Sequence, residues 1–501
     1  MNAKRAKALM VLGTGSGVGK SFIAAGLCRI LSDAGLRVAP FKAQNMSNNS
    51  FVTKEGGEMG RAQVVQAECA RVEPSVHMNP VLLKPCRDNG SQVIVHGKAI
   101  ATMDARTYYS RQGEMWRAIQ ESYALLAAEY EVLVIEGAGS PAEINLKDSD
   151  IVNCRVADLA DAQCILVGDI DKGGVFAWLY GTLVLLDEPQ RNRIAGLIIN
   201  KFRGDPSLLD LGLEMIESLS GKKVLGVLPY ELDLFIEEED SLALEKWKNI
   251  SDPENLDIAV IHFPRISNAT DFQILAEESG VSVRMVRRVA ELGTPDLLIL
   301  PGTKSTIEDL EYLKAQGFAE KIQDYVQRGG RVMGICGGFQ MLGEEIEDLE
   351  GIESKRVVQK GLSLLPLKTR FFAEKTLKRV EGKVSGQIFS HPVEAKFSGY
   401  EIHMGQTEVD GERESFVTTD PSTKVLGTYI HGLFDEASFR KAFLEALRKS
   451  CGKQKPAADS KEIPSMEIFK EKNYNRLAQL LRENLDLNYI EQCLNLSSHS
   501  Y

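Results

Sequence analysis

Two stretches of the chain hold residue types at the spacings that bond-making chemistry requires. In the first, the apolar run ALMVLG (8–13) leads through Gly13, Thr14, Gly15, Ser16, Gly17, Val18, Gly19, Lys20 and Ser21 into FIAAGLCRILSDAG, which has helical periodicity. A glycine-rich turn between a strand and a helix lets backbone N–H groups close on phosphate oxygens. The lysine neutralises the β/γ charge, and the hydroxyl after it reaches Mg²⁺. Strict phosphate-loop spacing puts glycine at position 14, so Thr14 marks a variant. Residues Thr14, Gly15, Ser16, Gly17, Val18, Gly19, Lys20 and Ser21 are therefore expected to bind ATP. Glu136, near the end of the apolar run in VLVIEGAG (132–139), is expected to join Ser21 as a Mg²⁺ ligand.

In the second stretch, RVMGIC ends a predicted strand at Cys336 and GGFQMLGEE begins a predicted helix. A nucleophile on such an elbow is held exposed on a sharp turn, and the helix start favours its ionised form. Gly334, Gly337 and Gly338 permit the turn. His431, in TYIHGLFD, supplies an imidazole for the proton transfers of acyl transfer. The N–H groups of Gly302 and Gly337 are candidates for an oxyanion hole.

Positioning these groups falls to two series of short apolar runs. ALMVLG, VLVIEGAG, CILVGDID (164–171), AGLIINKF (195–202) and KVLGVLPY (223–230) alternate with amphipathic stretches and read as buried parallel strands with helical crossovers. The pattern breaks in the charged segment 235–256. It resumes with DIAVIHFP (257–264), PDLLILPG (295–302), RVMGICGG (331–338) and KVLGTYIHG (424–432). The expected organisation is an α/β nucleotide-binding domain at 1–240, a second α/β domain at 252–440, and a helical tail at 441–501 packed on one of them.

With 59 Lys plus Arg against 70 Asp plus Glu, the net charge of −11 argues against a general nucleic-acid binder. Eight cysteines without a C-x-x-C pair suggest neither zinc nor a disulfide framework. No run approaches the roughly 20 apolar residues of a spanning helix, and the N-terminus lacks a signal-peptide core. A cytoplasmic location without membrane partners is expected.

The loop with Thr14, and Gly15 where partition-type ATPases carry a signature lysine, resembles the dethiobiotin synthetase-like P-loop amidoligases. PGT (301–303), GICGG (334–338) and the late His431 resemble the class I glutamine amidotransferases. That resemblance implies that Cys336 attacks the side-chain amide of glutamine and releases ammonia. The usual His-x-Glu ending is absent, since Gly432 and Leu433 follow His431, as in the cobyrinic and cobyric acid synthase subgroup, where a Cys-His pair is held to suffice.

FKAQNMSNNS (41–50), GRAQVVQAECA (60–70), MNPVLLKP (78–85), IEGAGSPAEINLKDSDIVN (135–153), GDIDKGGVFA (168–177), ISNATDF (266–272), LPGTKSTIEDL (300–310) and GYEIHMGQT (399–407) together resemble the cobyric acid synthase family over roughly residues 8–435. The resemblance implies amidation of the b, d, e and g carboxylates of adenosylcobyrinic acid a,c-diamide, with ATP and Mg²⁺, an acyl-phosphate intermediate, and glutamine as ammonia donor. It leaves a homo-oligomer open. The resemblance to the dethiobiotin synthetase relatives implies an adenine contact for Asn200, at the end of AGLIIN. For Gln44 and Asn45 a corrin or phosphate contact stands beside a plain amide-bonded turn, and for Asp148 a substrate or Mg²⁺ contact stands beside a solvated loop acid. Asp150 shares the alternatives of Asp148, and Asp169 and Asp171 lie near the presumed nucleotide. For His403, in GYEIHMG, a hydrogen-bonded structural role is favoured over a substrate-facing one. Two other readings are a cobyrinic acid a,c-diamide synthase and a nucleotide-dependent regulatory protein with a silent amidotransferase domain.

Overall fold

The computed structural model describes residues 6–87, 90–231, 233–237, 254–354, 357–409, 412–413, 416–418, 424–454 and 463–496. Most of the expected linker, 235–256, lies outside them.

The first series of apolar runs forms one six-stranded parallel sheet. Its order is Lys223–Pro229, Ile194–Phe202, Gln163–Asp169, Lys7–Gly13, Val132–Glu136, Val38–Phe41. Central strands such as Val132–Glu136 are buried along their whole length, which is why they read as continuous apolar runs rather than alternating ones. Register brings Val11 beside Glu136 and Asp169 beside Asn200. The carboxyl ends of the strands thus gather the chemistry-bearing residues at one edge, where open α/β sheets take their ligands. Between Phe41 and Asp104 the chain adds a four-stranded sheet, Gln44–Met46, Val81–Arg87, Gly90–Val95 and Lys98–Asp104, and a short pair, Ser50–Val52 with Glu58–Gly60. Sequence pattern alone did not reveal these.

The second series forms another sheet, ordered Val281–Val286, Leu256–Ile261, Leu297–Leu300, Val332–Ile335, Val425–Thr428, Phe416–Thr418, parallel except for the last strand. Beside it stands a long antiparallel hairpin, Lys368–Ile388 with His391–Val409, also unforeseen. The short strand Ile430–His431 joins this hairpin, with His431 opposite Tyr400.

The tail does not pack on a single domain, which corrects the expectation. Helix Ala437–Cys451 contributes Phe439, Phe443 and Leu447 to the second core. Helices Met466–Asn484 and Leu487–Leu494 cross back and place Leu477, Leu481, Ile490 and Leu494 in the core of the first. Gly26 is the contact point: a Cβ there would lie 2.2 Å from a Leu481 methyl. Periodicity fixes that these segments are helices but not which surface they meet. No helix among the described residues is long and apolar enough to cross a membrane.

Candidate active site

The phosphate loop joins strand Lys7–Gly13 to helix Lys20–Asp33. Gly17 and Gly19 have φ of 71° and 100°, a conformation that L side chains avoid. Gly19 is also braced from below, since the buried Asn200 amide donates to the Val18 carbonyl at 2.9 Å. Lys20 curls over the loop, its ammonium 2.8 Å from the Gly15 carbonyl and 3.1 Å from that of Gly139. The Ser21 hydroxyl donates to Glu136 Oε1 at 2.8 Å. Lys42 reaches the same oxygen at 2.9 Å, and Gln66 donates to Oε2 at 2.6 Å. Burial alone would raise the Glu136 pKa, but Lys42 and these hydrogen bonds hold it below the ordinary value. An ionised carboxylate beside a serine hydroxyl is a hard-oxygen donor set of the kind that suits Mg²⁺. Lys42 and Gln66 belong to no phosphate-binding motif, although FKAQNMSNNS and GRAQVVQAECA contain them.

The other candidates around this loop separate into groups. Asp169 is buried and paired with Lys201 at 2.8 Å, whose ammonium also reaches the Gly17 carbonyl at 2.6 Å. Asp171 pairs with Arg203 at 2.8 Å. Asn45 is buried and donates to Gln63 at 2.8 Å, while Gln44 accepts from the Tyr108 hydroxyl. Asp150 caps the backbone N–H groups of Val152 and Asn153. Asp148 is exposed in the turn Ile144–Ser149.

At the second site Cys336 has φ 50° and ψ −109° between strand Val332–Ile335 and helix Gly337–Leu342. A non-glycine residue there stores strain, of order 1–3 kcal/mol, that surrounding contacts must hold. They do: Cβ atoms on Gly337 or Gly338 would meet Thr303 at 2.7 Å or the Leu300 carbonyl at 2.0 Å, so the turn is pressed against the loop that follows Leu297–Leu300. That loop brings Gly302 beside the imidazole, its Cβ position 3.1 Å from His431 Cε1. Gly302, Gly337, Cys336 and His431 are thus brought together.

An acid that the motif reading missed completes the set. Asp271 accepts from His431 Nδ1 at 2.7 Å and from the Gly432 N–H at 2.9 Å, which leaves Nε2 to serve Cys336, whose thiol donates to the Ile402 carbonyl at 3.5 Å. All three side chains are buried. Burial by itself lowers the His431 pKa, but the Asp271 carboxylate prevails and raises it to about 10. His403 is held by the Gly405 carbonyl and Glu401 and stacks on Tyr429, as a structural histidine would.

The cavity beside Cys336 is lined by both domains: Lys84 comes from the first, and Lys304, Thr306, Gln340, Glu353, Lys375 and His431 from the second. Lys84 and Lys375 both pair with the buried Glu58. Among the described residues nothing hydrogen-bonds or ion-pairs with the Lys304 ammonium, and desolvation lowers its pKa. Asn268, three residues before Asp271, accepts from the Ser50 N–H at 3.0 Å, tying the segment that holds the histidine to the first domain.

Comparison with known proteins agrees with this two-part layout. Residues 9–243 match the CobQ/CobB/MinD/ParA nucleotide binding domain family, and residues 257–439 match the CobB/CobQ-like glutamine amidotransferase domain family. The cobyric acid synthase of Sorangium cellulosum is 47% identical over 97% of this chain and 98% of its own. That of Streptococcus sanguinis is 47% identical over 98% and 99%. A solved glutamine amidotransferase covers 39% of this chain and 98% of its own at 15% identity, with a TM-score of 0.27.

Proposed function

The chain belongs to the cobyric acid synthase family of glutamine-hydrolysing ligases, and from that premise we propose that it amidates the b, d, e and g carboxylates of adenosylcobyrinic acid a,c-diamide. The observation that carries the reading is the cavity in which Cys336 and His431 face Lys84 of the nucleotide-binding domain. Ammonia released there starts at the boundary with the domain that activates the acceptor.

In the proposed cycle the Cys336 thiolate adds to the glutamine amide carbon, and the N–H groups of Gly302 and Gly337 receive the oxyanion. The His431 imidazolium, kept charged by Asp271, gives its proton to the departing nitrogen. Ammonia leaves and a thioester forms. Neutral His431 then takes a proton from water, whose attack releases glutamate. We assign Lys304 to the α-carboxylate of glutamine, since it is a desolvated cation with a free valence in the same cavity. At the other site the loop N–H groups and Lys20 hold ATP while a substrate carboxylate takes its γ-phosphoryl group. Mg²⁺ held by Ser21 and Glu136 would neutralise charge on the β- and γ-phosphates. Ammonia then displaces phosphate from the acyl phosphate.

The test is to incubate the protein with Mg²⁺-ATP, glutamine and either adenosylcobyrinic acid a,c-diamide or the parent acid, following mass. Four successive amide additions to the diamide are expected. Two additions confined to the parent acid would instead establish a diamide synthase. Glutamine hydrolysis with neither corrin altered would remove the corrin assignment.

A further inference from the structure

Within its own domain the His431 imidazole is held on two sides: the Asp271 carboxylate meets Nδ1, and the Tyr400 ring stacks on it with centroids 5.5 Å apart. Each of these supports is in turn held from the first domain by one three-residue strand, Ser50–Val52. The Ser50 N–H donates to Asn268 Oδ1 at 3.0 Å, close to Asp271. The Phe51 ring meets Tyr400 edge to face at 5.1 Å, and Val52 packs in a small buried cluster with Tyr400 and Ile402. From the second domain, Arg379 donates to the Val52 carbonyl at 3.1 Å and lies over the Phe51 ring.

Asn268 stands at the start of the short turn Ala269–Phe272 that carries Asp271. An asparagine in that place ordinarily gives its side-chain oxygen to the N–H groups of its own turn. This one makes no such cap and offers the oxygen to the other domain, from a left-handed φ of 52° that asparagine tolerates better than most residues. Beside it, the Ser267 N–H donates to the Gly302 carbonyl at 2.9 Å, so one short segment touches both the oxyanion loop and the support of the histidine. The strand on which it docks is itself fixed. Ser50 is 1% exposed, its hydroxyl donates to Glu58 and accepts from Lys84, each at 2.8 Å, and Ser50–Val52 pairs with Glu58–Gly60.

We propose that strand Ser50–Val52 of the nucleotide-binding domain positions the catalytic histidine of the other domain: Asn268, docked on Ser50, sets Asp271, and Phe51 sets Tyr400 and with it the plane of the imidazole. A strand that served only to join the domains need not reach both supports of one ring. The inference rests on glutamine hydrolysis at Cys336, and it makes Phe51 and Asn268 positioning residues for that step. A misplacement of about 1 Å at a reacting group costs on the order of 100-fold in rate. Loosening either support therefore acts on kcat, while the groups that bind glutamine, and with them KM, stay as they are.

Glutamate release by the full-length protein tests this. Asn268→Gly keeps the left-handed backbone and removes the acceptor, and Phe51→Ala removes the ring edge. Each should lower kcat by about 10-fold with KM within about 2-fold of wild type. If Phe51→Ala melts early, Phe51→Leu, which keeps the bulk but not the ring, reads the same effect. In a chain that already carries Asp271→Asn, Asn268→Gly should cost less than about 2-fold further, because both changes act through one support. Unchanged kcat in Asn268→Gly and in both Phe51 variants overturns the proposal. So does a loss in Asn268→Gly that is undiminished in the Asp271→Asn background, the pattern of general destabilisation. A wild-type protein that releases no glutamate is a different failure: it removes the reading of the Cys336 site, and this inference with it.

Discussion

At the end of strand Lys7–Gly13 the chain turns into a helix on glycines, and the groups around the turn neutralise one another: Lys20 on backbone carbonyls, Ser21 and Lys42 on Glu136. At the end of strand Val332–Ile335 the turn is made on a cysteine at φ 50°, and its partners are already aligned, His431 between Cys336 and Asp271. The first arrangement must exchange its internal contacts for those of a nucleotide. The second holds its charges in the order the reaction needs before any ligand arrives. A site built from backbone N–H groups is specified by a few consecutive residues. A site built from side chains in fixed order needs distant segments to converge, and it is correspondingly harder to see in a sequence.

Breaking each site in turn tests the contrast. Cys336→Ala should remove glutamine-dependent synthesis by at least about 10⁴-fold while synthesis from free ammonium persists; loss of both, measured on the same preparation, contradicts the division between the sites. Lys20→Ala should lower synthesis from either nitrogen source by about 10³-fold, leaving basal glutamine hydrolysis within a few-fold. Retained synthesis with ammonium in that variant would sink the assignment of the loop.

Asp271→Asn sharpens the comparison, because it alters only the prealigned site. Its glutaminase rate near neutral pH should fall by about 10²-fold. With Asp271 present, His431 stays protonated until about pH 10. Without that charge only the weaker contacts with Cys336 oppose burial, and the alkaline limb of the rate profile should move down toward the ordinary imidazole value of about 6.5. Stability carries the same sign: the folded pKa lies above the unfolded one, so the His431 contribution is complete below about pH 6.5 and is lost as pH rises through about 10. A limb that does not move would mean that Asp271 only supports the fold. The smallest effect concerns recognition. Lys304→Met should raise the KM for glutamine by about 10-fold or more, yet leave hydrolysis of 4-aminobutyramide, which lacks the α-carboxylate, unaffected. Equal losses on both substrates would place Lys304 outside the binding of that group.

The phosphate loop was legible because its residues are contiguous, and the fold sets Ser21 beside Glu136 across the sheet. Cys336 and His431 were legible because each closes an apolar run. Asp271 was not: it lies 160 positions from His431, in the short turn Ala269–Phe272, and no local pattern ties it to a histidine. The available signal was ISNATDF itself, where Asn268 takes a left-handed φ of 52°. The hairpin Lys368–Ile388 escaped notice because few of its residues are buried, so the alternation that marks a strand is diluted by charge. Asn200 was visible as the residue that ends the apolar run AGLIIN, but not as the brace under Val18.

The tail that crosses back to the first domain also has a consequence for how the protein is made. Leu477, Leu481, Ile490 and Leu494 complete a core that includes Ile23, Leu27 and Ile30. On the ribosome the first sheet has all its strands once Pro229 has emerged, yet the apolar face of helix Lys20–Asp33 waits for its cover while about 250 further residues are added, on the order of 10–50 s at ordinary elongation rates. The nucleotide-binding half therefore begins folding first and finishes last, and the nascent chain carries an open hydrophobic seam for most of its synthesis.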